Sequence, residues 1–193
     1  MDRSKLEQGI RIFLEGLGLD SEREDLARTP ERVARAWSDE IVSGYSVDPD
    51  AVLTYSPVEP GTGPVLVRGI SLASVCLHHL LPFFGVAHVA YLPHRRLAGL
   101  SKLGRIIDAH SRRLQTQEEL TRAVVSTIQR TLEPLGAIAL LEAEHTCMTL
   151  RGVRKETSRM LTIATTGIYD SDPGERAQML QLLNCGGRPV ASR

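Results

Sequence analysis

The sequence predicts an α+β protein: an antiparallel sheet with two helices on one face, preceded by a helical N-terminal region. Three observations predict it. Apolar residues recur at helical spacing through the first 45 residues. β-rich runs lie on either side of residue 80 and again after residue 136. Between them the period lengthens to that of two successive helices.

Residues 1–19 carry Leu6, Ile10, Phe13, Leu14 and Leu17 at helical spacing, and Gly18 supplies a stop. The polar stretch 20–25 reads as a turn or short helix. Thr29-Pro30-Glu31 starts the next helix: Thr caps it, and Pro fits the first position, where its missing N–H would have no partner. Val33, Ala36, Trp37 and Ile41 form its apolar face. Arg32 and Arg35 project together from another, and Ser43-Gly44-Tyr45 ends the helix. Pro49, Pro57, Pro60, Gly61, Gly63 and Pro64 make residues 46–64 a loop or linker.

Val65-Leu66-Val67 reads as a strand, which Ile70 to Val75 continues past a turn at Gly69. Gly85 leads into a second, Val86 to Leu92, ended by Pro93. The two pair antiparallel through a short loop containing Cys76-Leu77-His78-His79. From Gly99, Leu100, Leu103, Ile107, His110 and Leu114 share a helix face. Thr116 and Glu119 resemble a capping box and open a second helix, periodic at Leu120, Ala123, Val124, Thr127, Ile128 and Leu132 until Pro134 and Gly136. Ala137 to Leu150 is a long strand region, where period two sets His145, Cys147, Thr149 and Arg151 on one face. Met160 to Thr166 is a further strand, Asp170 to Gly174 a turn, Glu175 to Leu183 a short helix, and Cys185 onward a frayed tail. The boundaries are therefore residues 1–45 for the helical region, 46–64 for the loop, 65–170 for the domain that carries the chemistry, and 171–193 for the C-terminal helix and tail.

Composition narrows the function. The 193 residues suffice for one sizeable core, and 42% hydrophobic with 24% charged residues is ordinary for a soluble globular protein. Zero formal net charge and 4% aromatics argue against a nucleic-acid partner. No apolar run reaches the ~18–20 residues of a membrane span, and the first residues read as an amphipathic helix, not a signal peptide. Three widely spaced cysteines do not make a disulfide framework; a reducing cytoplasm is their simplest setting.

In that setting cysteine beside histidine reads as metal binding or catalysis. Cys76 and His79 lie three apart, and Cys147 comes from a distant strand. Two thiolates and an imidazole suit Zn²⁺ better than Fe²⁺ or Mn²⁺, and three protein ligands leave a fourth position for water. His78 and His145 flank such a site as proton carriers. A lone Cys is usually a small core residue and a lone His a hydrogen-bonded or exposed one; it is the two half-motifs together that favour the metal. Cys185, His88, His94 and His110 have no such pattern. Arg32, Arg35, Lys102, Arg105 and Arg151 read either as solvated surface charge or as a polyphosphate clamp. Glu118 reads either as a favourable dipole partner in a first helical turn or as a carboxylate for a guanine edge.

Five segments bear a resemblance. They are Thr29-Pro30-Glu31-Arg32-Val33-Ala34-Arg35, Cys76-Leu77-His78-His79 with Leu81-Pro82-Phe83-Phe84-Gly85, Gly99-Leu100-Ser101-Lys102-Leu103-Gly104-Arg105-Ile106, Gln115-Thr116-Gln117-Glu118-Glu119-Leu120-Thr121, and His145-Thr146-Cys147 through Arg154. In this order the chain resembles the GTP cyclohydrolase I family, zinc enzymes of the tunnelling fold that open pterin biosynthesis. The resemblance implies Cys76, His79 and Cys147 as zinc ligands and His78 and His145 as acid/base groups. It implies Glu118, with Gln117 beside it, at the guanine edge and Ser101 near the ribose. Arg32, Arg35, Lys102, Arg105 and Arg151 would surround the triphosphate. The implied reaction is hydrolytic opening of the guanine imidazole ring of GTP at C8, loss of formate, and rearrangement to 7,8-dihydroneopterin triphosphate. The implied assembly is a homodecamer of two pentamers with sites at subunit junctions.

One position departs from the family pattern. Leu77 stands where the family has Glu, and Leu neither carries a proton nor hydrogen-bonds a ribose. It leaves two alternatives beside GTP cyclohydrolase activity. One is a variant enzyme with altered substrate, or one that stops at a ring-opened or deformylated nucleotide. The other is a non-catalytic purine- or pterin-binding protein with structural zinc.

Overall fold

The computed structural model describes residues 1–184; the tail expected from Cys185 onward lies outside the described residues. Helix α1 (Arg3–Gly16) is capped by the Asp2 side chain, which accepts from the Lys5 N–H. It packs against α2 (Thr29–Ala36), which holds Pro30 in its first turn; the cap expected from Thr29 is absent, since the helix already includes Thr29, Arg28 is the N-cap and no side chain caps it. The helix expected to run on to residue 43 instead widens. Residues Trp37–Ile41 form a π-turn in which the Val42 N–H reaches back five residues to the Trp37 carbonyl. Part of the stretch read as a linker is ordered. It holds a helical turn, α3 (Pro49–Val52), capped by Asp48, and β1 (Tyr55–Pro57). Asp50 in α3 accepts from both Nε and Nη2 of the Arg130 guanidinium, the Nε bond measuring 2.9 Å.

The main sheet begins with β2 (Val65–Cys76) and β3 (Pro82–Leu92), antiparallel as expected through the loop at residues 77–81. β4 (Arg96–Ala98) leaves to pair with β1. Helix α4 (Leu100–Ser111), strand β5 (Leu114–Gln115) and helix α5 (Gln117–Leu132) follow. β6 (Gly136–His145) and β7 (Met160–Gly167) complete the order β5-β2-β3-β6-β7. Two sequence expectations change here. Leu114 is not on α4: the helix stops at Ser111, and Leu114 and Gln115 pair in parallel with Val75 and Cys76, so the sheet is mixed. The strand predicted through Leu150 ends at His145. β3 begins at Pro82, so β6 has no ladder partner beyond the Phe83–His145 pair. Residues Thr146–Thr149 coil into a helical turn, α6, and the Thr146 hydroxyl donates to the Pro82 carbonyl. The shared strand face predicted for His145, Cys147, Thr149 and Arg151 therefore does not exist.

One face of the sheet packs on α4 and α5. Phe83, Ala87, Val89 and Tyr91 of β3 and Ala137, Ala139, Leu141 and Ala143 of β6 meet Leu103, Ile106, Ile107, Leu120, Val124 and Ile128 there. These strand residues are all odd-numbered, as period two requires. On β2 the parity changes. Val65 and Val67 face the core, but so do Ile70, Leu72 and Cys76. A bulge between Val67 and Ile70, with Gly69 at φ 71°, makes the switch. Without that extra residue Cys76 would point to the opposite face. The far end of that opposite face is covered by α7 (Ile168–Ser171) and α8 (Pro173–Asn184), through Tyr169, Met179 and Leu183 against Ala90 and Ile138. The turn expected at residues 170–174 is thus mostly helical, with Asp172 accepting from the Gly174 and Glu175 N–H groups.

Candidate active site

The core face of the sheet ends at Cys76, Phe83 and His145. The chain closes over that end from three sides: the loop 77–81, the first turn of α5, and α6. The loop is tight. The Cys76 N–H donates to the Leu81 carbonyl at 2.8 Å and the Leu80 N–H returns to the Cys76 carbonyl at 2.9 Å. Leu80 takes φ 55°, a left-handed conformation that costs a side-chain-bearing residue about 1 kcal/mol. The turn leaves Leu77, His78 and His79 exposed around the buried Cys76.

α6 then does what a continuous strand could not. It swings Cys147 back toward β2, so the ligating atoms of Cys76, His79 and Cys147 all lie within 4.8 Å of one another. Cys76 Sγ and His79 Nδ1 are 3.7 Å apart. Tetrahedral Zn²⁺, with bonds of about 2.3 Å to sulfur and about 2.0–2.1 Å to nitrogen, spaces its ligand atoms by roughly 3.5–3.8 Å. The donor set and its spacing therefore fit zinc, with a fourth position for a non-protein ligand. Burial and the neighbouring Cys76 push the Cys147 thiol above its ordinary value, while Arg151 acts in the opposite sense. A bound dication reverses that balance and deprotonates both thiols.

His145 sits beside this group, half-buried. Its ring stacks on Phe83, with centroids 4.5 Å apart and planes 10° from parallel. Its Nε2 lies 2.8 Å from Gln117 Oε1. Desolvation lowers its pKa and the charge of Glu118 partly restores it. His78 and His79 meet edge to face at 6.2 Å. Glu118, exposed in the first turn of α5, has no hydrogen-bond partner among the described residues, and its carboxylate is free to accept from outside. The predicted capping box is present: Thr116 Oγ1 accepts from the Glu119 N–H, and the Glu119 carboxylate accepts from the Thr116 N–H. It anchors the turn that carries Gln117 and Glu118.

Of the remaining predicted residues, Arg151 comes near enough to this cluster to act on the Cys147 thiol. Ser101 is exposed in the first turn of α4. Lys102 and Arg105, on the same helix, line a shallow pocket of about 380 Å³ with Arg112 and Asp108; no residue of the cysteine cluster lines it. Arg32 and Arg35 stand exposed on α2, and Arg151 follows α6. Among the described residues, none of these five cations makes an ion pair, whereas Arg3, Arg11, Arg23, Arg96, Arg130 and Arg159 all do. Gln117, expected to touch substrate, is 1% exposed, and its amide is spent on Leu141, Met160, Thr162 and His145. Sequence reasoning missed Phe83, Thr162 and Arg112. Phe83 lies in a quoted motif, but only the β3–β6 register sets it against His145.

Comparison with known proteins converges on one family. The family model for GTP cyclohydrolase I matches residues 6–184. The chain is 45% identical over 185 residues to the GTP cyclohydrolase 1 of Caldanaerobacter subterraneus subsp. tengcongensis, covering 95% of this chain and 98% of that one. It is 44% identical over 185 residues to that of Thermoanaerobacter pseudethanolicus, with the same two coverages of 95% and 98%. To the GTP cyclohydrolase 1 of Leptospira biflexa it is 43% identical over 182 residues, covering 94% and 99%. Among solved structures, the archaeosine synthase QueF-like in its apo form aligns with a TM-score of 0.46 at 14% identity, over 55% of this chain and 96% of that one.

Proposed function

The chain belongs to the GTP cyclohydrolase I family, and from that premise we propose how its residues divide the work of opening the guanine ring of GTP. The activity is hydrolysis of the imidazole ring with release of formate, giving 7,8-dihydroneopterin triphosphate. The observation that carries the reading is the convergence of Cys76 and His79, from the loop after β2, and Cys147, from α6, beside His145. We assign these three to Zn²⁺ and the architecture to the tunnelling fold. When bound, the ion supplies Lewis acidity that makes water nucleophilic at neutral pH.

The protein residues do the rest. His145 accepts a proton, and the exposed His78 is assigned as the second acid/base group. Glu118 receives the guanine N1–H and 2-amino group as two parallel hydrogen bonds, which sets the base in one orientation. Ser101 serves the ribose. Arg32, Arg35, Lys102, Arg105 and Arg151 neutralise the triphosphate; their lack of ion pairs among the described residues supports that role.

Because Lys102 and Arg105 stand apart from the cysteine cluster, we infer that a complete site needs a second copy of the chain. Two free sheet edges support assembly. Among the described residues β7 is paired on one side only, with Leu161 and Ile163 55% and 46% exposed, and β5 covers no more of β2 than Val75 and Cys76. A homodecamer of two pentamers is the assembly we assign. Among the described residues no helix is long and apolar enough to cross a membrane. The cytoplasmic setting rests on Cys76 and Cys147 both being free thiols suited to a metal.

A second reading rests on Leu77, 46% exposed on the loop that carries His78 and His79. A leucine there brings no proton carrier to the later steps, so the variant reading has the protein stop at a ring-opened or deformylated nucleotide. One experiment decides. Zinc-loaded protein is incubated with GTP, and the product mass, formate yield and pterin absorbance are followed. Formate with a dihydroneopterin triphosphate mass is expected. A nucleotide that has gained water, or lost its formyl carbon without closing the pterin, supports the variant reading. Nucleotide binding with no turnover sinks both.

A further inference from the structure

We propose that Gln117 is a positioning residue, whose carboxamide holds His145 as the Nε2–H tautomer and so leaves Nδ1 as its bare nitrogen. The proposal rests on the reading of His145 as an acid/base group.

The polarity of the contact follows from what surrounds the amide. Gln117 Nε2 lies 3.0 Å from the Leu141 carbonyl, 3.0 Å from the Met160 carbonyl and 3.0 Å from Thr162 Oγ1. Carbonyls only accept, so the group facing them must be the NH₂. A reversed amide would set its oxygen against two carbonyl oxygens in a site with 1% exposure. Oε1 is thereby directed at His145 Nε2, 2.8 Å away. An amide oxygen offers no proton, so the imidazole must donate from Nε2.

The hydroxyls around the amide are consistent with one direction throughout. Thr121 donates to the Gln117 backbone carbonyl at 2.7 Å. Its oxygen is then free to accept from the Thr162 hydroxyl, also at 2.7 Å, and Thr162 in turn accepts from Gln117 Nε2. Each hydroxyl donates once, the two Gln117 N–H groups are shared among three acceptors, and the chain ends at His145. Phe83 fixes the ring plane from one face, so both the orientation and the tautomer of the imidazole are set by buried neighbours. A neutral imidazole free to exchange tautomers would present the wrong nitrogen for part of the time.

The test uses the zinc-loaded full chain labelled with ¹⁵N-histidine. His145 resonances are assigned by difference against His145→Gln, and the nitrogen shifts report which ring atom is protonated. Wild type is expected to show Nε2–H and a bare Nδ1. Gln117→Met removes the acceptor. It is expected to retain zinc, to show His145 as a mixture of tautomers, and to lose kcat by roughly 10–100-fold at unchanged KM for GTP. A wild-type spectrum with Nδ1–H overturns the proposal. So does a Gln117→Met enzyme whose KM rises at unchanged kcat, since that is the signature of a direct substrate contact. Should Gln117→Met fail to fold, the wild-type spectrum still decides. Wild-type protein that never hydrolyses GTP removes the catalytic reading, while the spectrum goes on testing the Gln117–His145 contact.

Discussion

Phe83 and His145 are cross-strand partners at the last pair of the β3–β6 ladder, and their rings lie 4.5 Å apart and 10° from parallel. Phe83 is 0% exposed, so one aromatic side chain both closes the core and forms a wall of the site. Phe83→Leu keeps most of the apolar volume and removes the stack. It is expected to cost about 1–2 kcal/mol of stability and to lower kcat several-fold with zinc retained. Denaturant unfolding and steady-state kinetics on the same preparation check both. Unchanged kcat would mean that Gln117 alone orients the imidazole.

The grouping of Cys76 with His79 was legible in the sequence because Cys76-x-x-His79 is local and thiols near imidazoles have few other uses. The way Cys147 reaches them was not. Alternation along Ala137–Leu150 mimics a strand, and nothing local says that β3 runs out at Pro82 and leaves Thr146 to turn. The aim of Cys76 depended on the bulge at Gly69, visible as a turn but not as a change of parity. Gln117 looked like a ligand contact because it adjoins Glu118. In a helix, neighbours point about 100° apart, and here one faces solvent while the other faces the sheet. Arg32, Arg35, Lys102 and Arg105 could be identified as cations but not gathered, and the pocket that Lys102 and Arg105 line includes no residue of the cysteine cluster.

Removing one sulfur separates catalysis from binding. Cys147→Ala leaves Cys76 and His79, too few ligands to retain zinc at a structural site's affinity. Metal content is expected to fall below stoichiometric, and formate release from GTP to vanish. Nucleotide affinity should largely survive, because Glu118 and the cations are untouched. Metal analysis alongside calorimetric titration with GTP checks this. Full turnover by the zinc-free variant would refute the assignment of the metal site.

Gly85 is required by the closeness of two strands. A Cβ there would run into the Glu142 carbonyl oxygen and come within 2.7 Å of Ala143 Cα, all backbone that cannot step aside. Gly85 pairs with Ala143 in β6 and Leu72 in β2, two residues from Phe83. Gly85→Ala is therefore expected to spread β3 from β6 and destabilise by about 1–3 kcal/mol or more, as overpacking does. Zinc affinity should weaken with it, since β6 carries α6 and Cys147. A variant with unaltered thermal unfolding and zinc content would show that the ladder absorbs the methyl.

His110 makes stability depend on pH in a definite window. It is 7% exposed on α4, with Nε2 2.9 Å from Thr127 Oγ1. Burial first, and then the Arg113 guanidinium, push its pKa down from 6.5 to about 4; Arg130 adds to the shift and Asp50 opposes it. In the unfolded chain the imidazole titrates near its ordinary value. Between the two values the unfolded chain binds a proton that the folded chain refuses. The contribution is therefore fully present above about pH 6.5 and is lost as pH falls toward 4, at no more than about 1.4 kcal/mol per pH unit. Below about pH 4 both states are charged and the loss stops. His110→Gln keeps a polar partner for Thr127 and cannot titrate, so its stability should fall less steeply between pH 6.5 and 4. Urea unfolding of both zinc-loaded proteins at several pH values in that window gives the two slopes. Equal slopes would assign the acid sensitivity to other groups.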